Sequence, residues 1–121
     1  MQCKPQLPRP KAGKQAERNS LDAEREATLR EHAAMTESDL AEYHRFENAE
    51  KRQRELLLPL AVEKISLAVA AWRGGKGSLA EVISARRERI DTELKILELD
   101  GRRQQIAARL HYVKSEHGVQ P

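Results

Sequence analysis

The stretch from Leu56 to Ile83 constrains this chain most, because an apolar helical run breaks at Gly74-Gly75-Lys76-Gly77 and then restarts at once. Ser78-x-x-Glu81 at the restart is a capping box: the hydroxyl is placed to accept from the third backbone N–H of a new helix, and the carboxylate reaches back to the cap N–H. Three glycines supply the backbone freedom to end one helix and reverse direction within a few residues. The segment reads as the tip of an antiparallel helical hairpin.

Charged residues make up 34% of the 121, against one Phe, one Trp and two Tyr, too few large side chains for a conventional globular core. The abundance of Ala, Leu, Glu, Arg, Lys and Gln suits long helices packed side by side. Twenty-two basic and 19 acidic residues leave a net charge of +3, with signs interleaved as in Glu47 to Glu55. Such mixing describes a solvated helix surface laced with ion pairs worth about 0.2 to 0.5 kcal/mol each. No basic stripe, binding motif or aromatic platform suits nucleic acid, although Arg86-Arg87-Glu88-Arg89 and Arg102-Arg103 are locally basic.

Residues 1 to 14 hold three prolines and a glycine without a helical apolar period, which predicts an extended or disordered tail, or the remnant of a strand. Helical structure is expected over 15 to 115: a first helix over 15 to 73 kinked near Pro59, a tip at 74 to 77, and a second helix over 78 to 115. Residues 116 to 121 are expected to form a C-terminal tail. Asn19 or Ser20 can cap the first helix, with Asp22, Glu24 and Glu26 in the turn that follows. From Leu21 to Trp72 only Pro59 interrupts it, a rod of roughly 80 to 90 Å at about 1.5 Å per residue. Its early part carries a thin stripe through Leu29, Ala33, Leu40, Tyr43 and Phe46. After Leu56, by contrast, apolar residues point in several directions, more than one partner helix can cover. Pro59 either kinks the rod or marks two helices meeting at Leu58-Pro59.

The second helix carries two heptad-spaced stripes, Ile83, Ile90 and Leu97 on one side and Leu99, Ile106 and Val113 nearly opposite. A two-stranded coil needs one seam, so two seams predict a helix sandwiched between neighbours. The fold class expected is all-α, a long antiparallel helical hairpin of coiled-coil or barrel-stave type.

Catalytic residues are not found: no nucleophile, base and oxyanion stabiliser converge, and Gly74 to Ser78 lacks the spacing of a phosphate-binding loop. His32, His44, His111 and His117 include no pair at the spacing of a helical zinc site, and Cys3 has no second cysteine, so neither a metal nor a cofactor is expected. No positively charged start precedes an apolar run, so no secretory signal is read. The apolar window Leu56 to Trp72 is short for a membrane span and holds Glu63, Lys64 and Pro59. By itself the chain reads as soluble or cytoplasmic.

Ala71-Trp72-Arg73-Gly74-Gly75-Lys76-Gly77-Ser78-Leu79-Ala80-Glu81-Val82-Ile83, followed by Ala85-Arg86-Arg87, resembles the hairpin-tip sequence of TolC-like outer-membrane efflux factors. The wording Gly-Lys-Gly-Ser-Leu-Ala-Glu-Val is most similar to the heavy-metal branch, the CzcC-like and CusC-like proteins. Leu57-Leu58-Pro59-Leu60-Ala61 and Ala108-Arg109-Leu110-His111-Tyr112-Val113 add to the match, which covers roughly Leu7 to Val113 and corresponds to the C-terminal repeat only. The resemblance implies a trimer in which helical hairpins wall a periplasmic conduit below an outer-membrane barrel, and hence an outer-membrane or periplasmic location. It implies as partners the periplasmic adaptor (membrane fusion protein) and the inner-membrane pump of a tripartite, RND-type export system. By position, the adaptor-docking tip would comprise Trp72, Arg73, Gly74, Gly75, Lys76, Gly77, Ser78, Leu79 and Glu81, with Gly75 making the turn. The other reading of the residues is a stand-alone helical-hairpin scaffold that self-associates through the Leu56 to Val69 surface.

Overall fold

The structure is a computed structural model that describes residues 10 to 116. Those residues are all-α and include a long antiparallel helical hairpin, with no strand among them. Helix α1 runs Pro10–Arg52, a π-helical turn follows at Gln53–Leu57, α2 runs Leu58–Arg73, and α3 returns over Leu79–Glu116. The chain divides into two compact units, residues 1–37 and 38–121.

In the first unit the described side chains are exposed apart from half-buried Thr36, and local contacts such as Arg30 to Glu26 at 3.2 Å are its ion pairing. The helix begins at Pro10, ahead of the expected start at residue 15. Proline suits a first helical turn, where its missing N–H has no partner to lose, so Pro10 opens the helix rather than ending a tail. The remainder of the expected tail, residues 1 to 9 with Cys3, lies outside the described residues, as do residues 117 to 121 with His117. Leu29 and Ala33, expected on an apolar stripe, are exposed.

The second unit is the hairpin. Val82, Ala85, Ile96, Leu99 and Ile106 of α3 are buried, and with half-buried Thr92, Leu110 and Val113 they form one seam at spacings of three, four and seven. Opposite them lie Ala61, buried, and Leu58, Ile65 and Ala68, half-buried. Leu99, Ile106 and Val113 therefore face inward, as one of the two expected stripes. Ile83, Ile90 and Leu97 of the other stripe are 46%, 54% and 66% exposed, so nothing among the described residues covers them.

One buried charge interrupts the seam. Glu50 is 7% exposed; its Oε1 accepts from Nη2 of Arg54 at 2.8 Å and its Oε2 lies 3.4 Å from Nε of Arg103. Arg103 takes the seam position between Leu99 and Ile106, and its Nη2 donates to Oδ1 of Asp100 at 2.7 Å. That hydrogen bond holds the guanidinium above its ordinary range against the cost of burial, with Glu50 and Tyr43 adding to the attraction. Farther along, Arg109 meets Asp39 at 3.2 Å, and Lys64 bridges to Glu88 at 3.0 Å.

The break in the first helix lies just ahead of Pro59, and α2 starts at Leu58, where two helices meeting at Leu58-Pro59 is one of the two expectations. The break is the wide turn at Gln53–Leu57, in which the N–H of Leu58 donates to the carbonyl of Gln53, five residues back. Proline at 59 offers no N–H to Glu55 four residues earlier, and its ring crowds that carbonyl, so the chain widens just ahead of it. Pro59 then sits in the first turn of α2, where proline is tolerated.

Candidate functional site

The tip is built by two capping motifs in direct succession. α2 ends with Gly74 at φ −82° and ψ 3°, followed by Gly75 at φ +73°, the one positive φ among the described residues. The N–H of Gly75 donates to the carbonyl of Trp72 at 3.1 Å and that of Lys76 to the carbonyl of Ala71 at 2.9 Å. This pair of bonds is a Schellman motif, which satisfies carbonyls that the last helical turn leaves free. The left-handed conformation costs other residues roughly 1 to 2 kcal/mol, hence glycine at 75.

Gly77 answers to crowding instead. A Cβ there would lie 3.1 Å from the Cβ of Ala71 and 3.3 Å from the backbone nitrogen of Trp72. Its own N–H donates to the carbonyl of Ala71 at 3.1 Å, so the return strand of the loop is laid directly on the end of α2. Next comes the capping box as read from the sequence: the N–H of Ser78 donates to Oε2 of Glu81 at 3.1 Å, and the N–H of Glu81 donates to Oγ of Ser78 at 3.3 Å. Glu81 also places a carboxylate in the first turn of α3, where the helix dipole favours it.

The tip residues thus divide by role. Gly74, Gly75, Gly77, Ser78 and Glu81 fix the backbone. Trp72, Arg73, Lys76 and Leu79 are exposed, Trp72 by 46% and Leu79 by 52%, and neither Arg73 nor Lys76 has an acidic partner among the described residues. The surface offered is one indole, one leucine and two cations on a loop held by backbone hydrogen bonds. It has the makings of a protein contact: an aromatic anchor with cations around it.

Two apolar rows flank the stem below the tip. Leu57 of the π-helical turn and Leu60 and Leu67 of α2 border a groove of about 540 Å³ that Glu88 and Thr92 of α3 close from the other side. On the other helix Ile83, Ile90, Leu94 and Leu97 stand 46% to 66% exposed. Sequence reasoning identified the Ile83, Ile90 and Leu97 stripe and an apolar surface over Leu56 to Val69, but not Leu94, whose spacing of four from Ile90 and three from Leu97 places it on the same face.

Among the described residues no group of three His, Cys, Asp or Glu side chains could hold a metal ion. His44 is engaged with Glu47 at 3.2 Å. No helix among the described residues is long and apolar enough to cross a membrane. Comparisons with protein-family models, with curated proteins and with solved structures find no match.

Proposed function

We propose that this chain is a helical hairpin of a TolC-like outer-membrane efflux factor of the heavy-metal branch, acting as a passive wall element and docking a periplasmic adaptor through its tip. One observation carries the reading: the sequence words that resemble the family, Trp72 to Ile83, coincide with a tip whose backbone is fixed by a Schellman motif and a capping box and whose exposed side chains are left free for a partner. Exposed apolar rows on both helices add support, since a stave in a wall of helices needs a neighbour on each side. The work of the hairpin is geometric, with energy supplied by the pump. No residue acts as a catalyst.

The test is site-specific crosslinking from position 72 to a membrane fusion protein of a heavy-metal export system, with and without Gly75→Pro. Recruitment that depends on an intact tip is the expected result. Equal recruitment by both forms rejects docking through the tip. The exposed Leu57, Leu60 and Leu67 row equally favours a second reading, a self-associating scaffold that uses the stem alone, and loss of tip dependence with retained self-association would select it.

A further inference from the structure

The inward residues of α1, continued by the first residue of the π-helical turn, follow a regular seam: Asp39, Tyr43, Phe46, Glu50 and Gln53 are spaced by four, three, four and three. Asp39 and Glu50 are placed there by their ion pairs to Arg109 and Arg103, and Phe46 by the cavity it lines with Ile106. The seam of α2 is as regular, with Leu58, Ala61, Ile65 and Ala68 at spacings of three, four and three. Between the two, from Gln53 to Leu58, the step is five.

An α-helix advances about 100° per residue, so steps of three and four keep a row on one face and a step of five swings it away. Both rows nevertheless meet the same face of α3. The π-helical turn occupies the five-residue step itself, Gln53–Leu57, and its hydrogen bond reaches back five residues, which lodges about one residue more than an α turn holds. We propose that the hairpin is a coiled coil with a one-residue skip, and that the wide turn is a phase adapter that stores the surplus residue so that α1 and α2 share one seam. Leu56 and Leu57 are consequently both left outside it, 60% and 41% exposed, beside the groove bordered by Leu60 and Leu67. The inference stands on the hairpin alone and does not depend on the efflux reading.

It makes a prediction opposite to intuition: deleting one residue of the turn should be harmless to pairing, and adding one should not. The probe is a cysteine pair, Glu42→Cys with Arg109→Cys, in a Cys3→Ser background. The native side chains at these sites approach to 3.9 Å and stand partly exposed. A short bismaleimide, applied to dilute protein, reports intramolecular linkage. Deleting Glu55, an exposed residue without an ion pair among the described residues, should keep linkage within about twofold of the parent and leave helicity intact, since the step becomes four. Inserting one alanine between Gln53 and Arg54 should reduce linkage at least fivefold. Loss of linkage or of folding in the deletion, or full linkage in the insertion, overturns the proposal.

Discussion

Removing the two members of the Glu50–Arg103 pair one at a time should give unequal costs, and the structure says which is larger. Arg103→Met leaves a carboxylate that is 7% exposed with only Arg54 as its cation, and that arginine is itself 59% exposed. A buried charge deprived of one of its two ion-pair partners loses about 2 to 3 kcal/mol, less than a fully isolated one because Arg54 remains. Glu50→Met instead leaves Arg103, 28% exposed, still bonded to Asp100 at 2.7 Å and able to reach water. Its cost should be about 1 kcal/mol. The double substitution places two methionines in a seam between Leu99 and Ile106 and should come within about 1 kcal/mol of the parent or exceed it. Unfolding by urea followed by far-ultraviolet circular dichroism, at one protein concentration, measures the cycle. At roughly 4 to 8 °C per kcal/mol for a unit of this size, the difference between the single variants is resolvable in melting temperature as well. If Glu50→Met proves as costly as Arg103→Met, burial of the carboxylate does not decide the asymmetry and the reasoning fails.

Gly75→Ala should lower stability by about 1 kcal/mol through the left-handed backbone, and Gly75→Pro by about 3 kcal/mol, since proline can adopt neither φ +73° nor the bond to Trp72; thermal denaturation ranks them. Glu81→Ala opens the capping box and should cost about 1 kcal/mol, with frayed amide exchange at Ser78 and Glu81 as its signature. Light scattering across a concentration series should find the purified chain as a discrete oligomer, which Leu60→Gln with Leu67→Gln should shift toward monomer; a parent that stays monomeric at every concentration removes the burial argument.

The hairpin was legible because its signals are local. Glycines, a Ser-x-x-Glu box and a heptad of apolar residues each act within one or two turns, and each sits in the structure where the sequence placed it. Two features were not legible in the same way. Pro59 signals a break near Leu58 but not its form, because a proline disturbs the carbonyl four residues before it and the chain widens over the preceding turn. Leu40 was read as a stripe residue beside Tyr43 and Phe46, yet it is 47% exposed while polar Asp39 and Glu50 hold the seam. A hydrophobicity pattern cannot show this, because it discards charged residues from the core before asking whether the facing helix supplies their partners. Arg109 and Arg103 supply them here, and both arginines lie more than fifty residues away in sequence.

Stability and recognition are separable at the tip. Every bond that shapes it runs between residues 70 and 82, within the loop and the helix ends that flank it. Trp72, Arg73, Lys76 and Leu79 contribute to that scaffold through their backbones, while their exposed side chains carry little of its stability. Trp72→Ala and Lys76→Glu should therefore leave the unfolding free energy within about 0.5 kcal/mol of the parent, the range of ordinary surface changes. A partner that reads the tip must lose affinity with the same substitutions, because an aromatic anchor and its neighbouring cation are what the surface offers. A protein that docked through the stem would respond in the opposite way, ignoring Trp72 and failing when Leu60 and Leu67 are made polar. Measured on the same preparations, the two responses assign recognition to the tip or to the stem without reference to what the assembly carries.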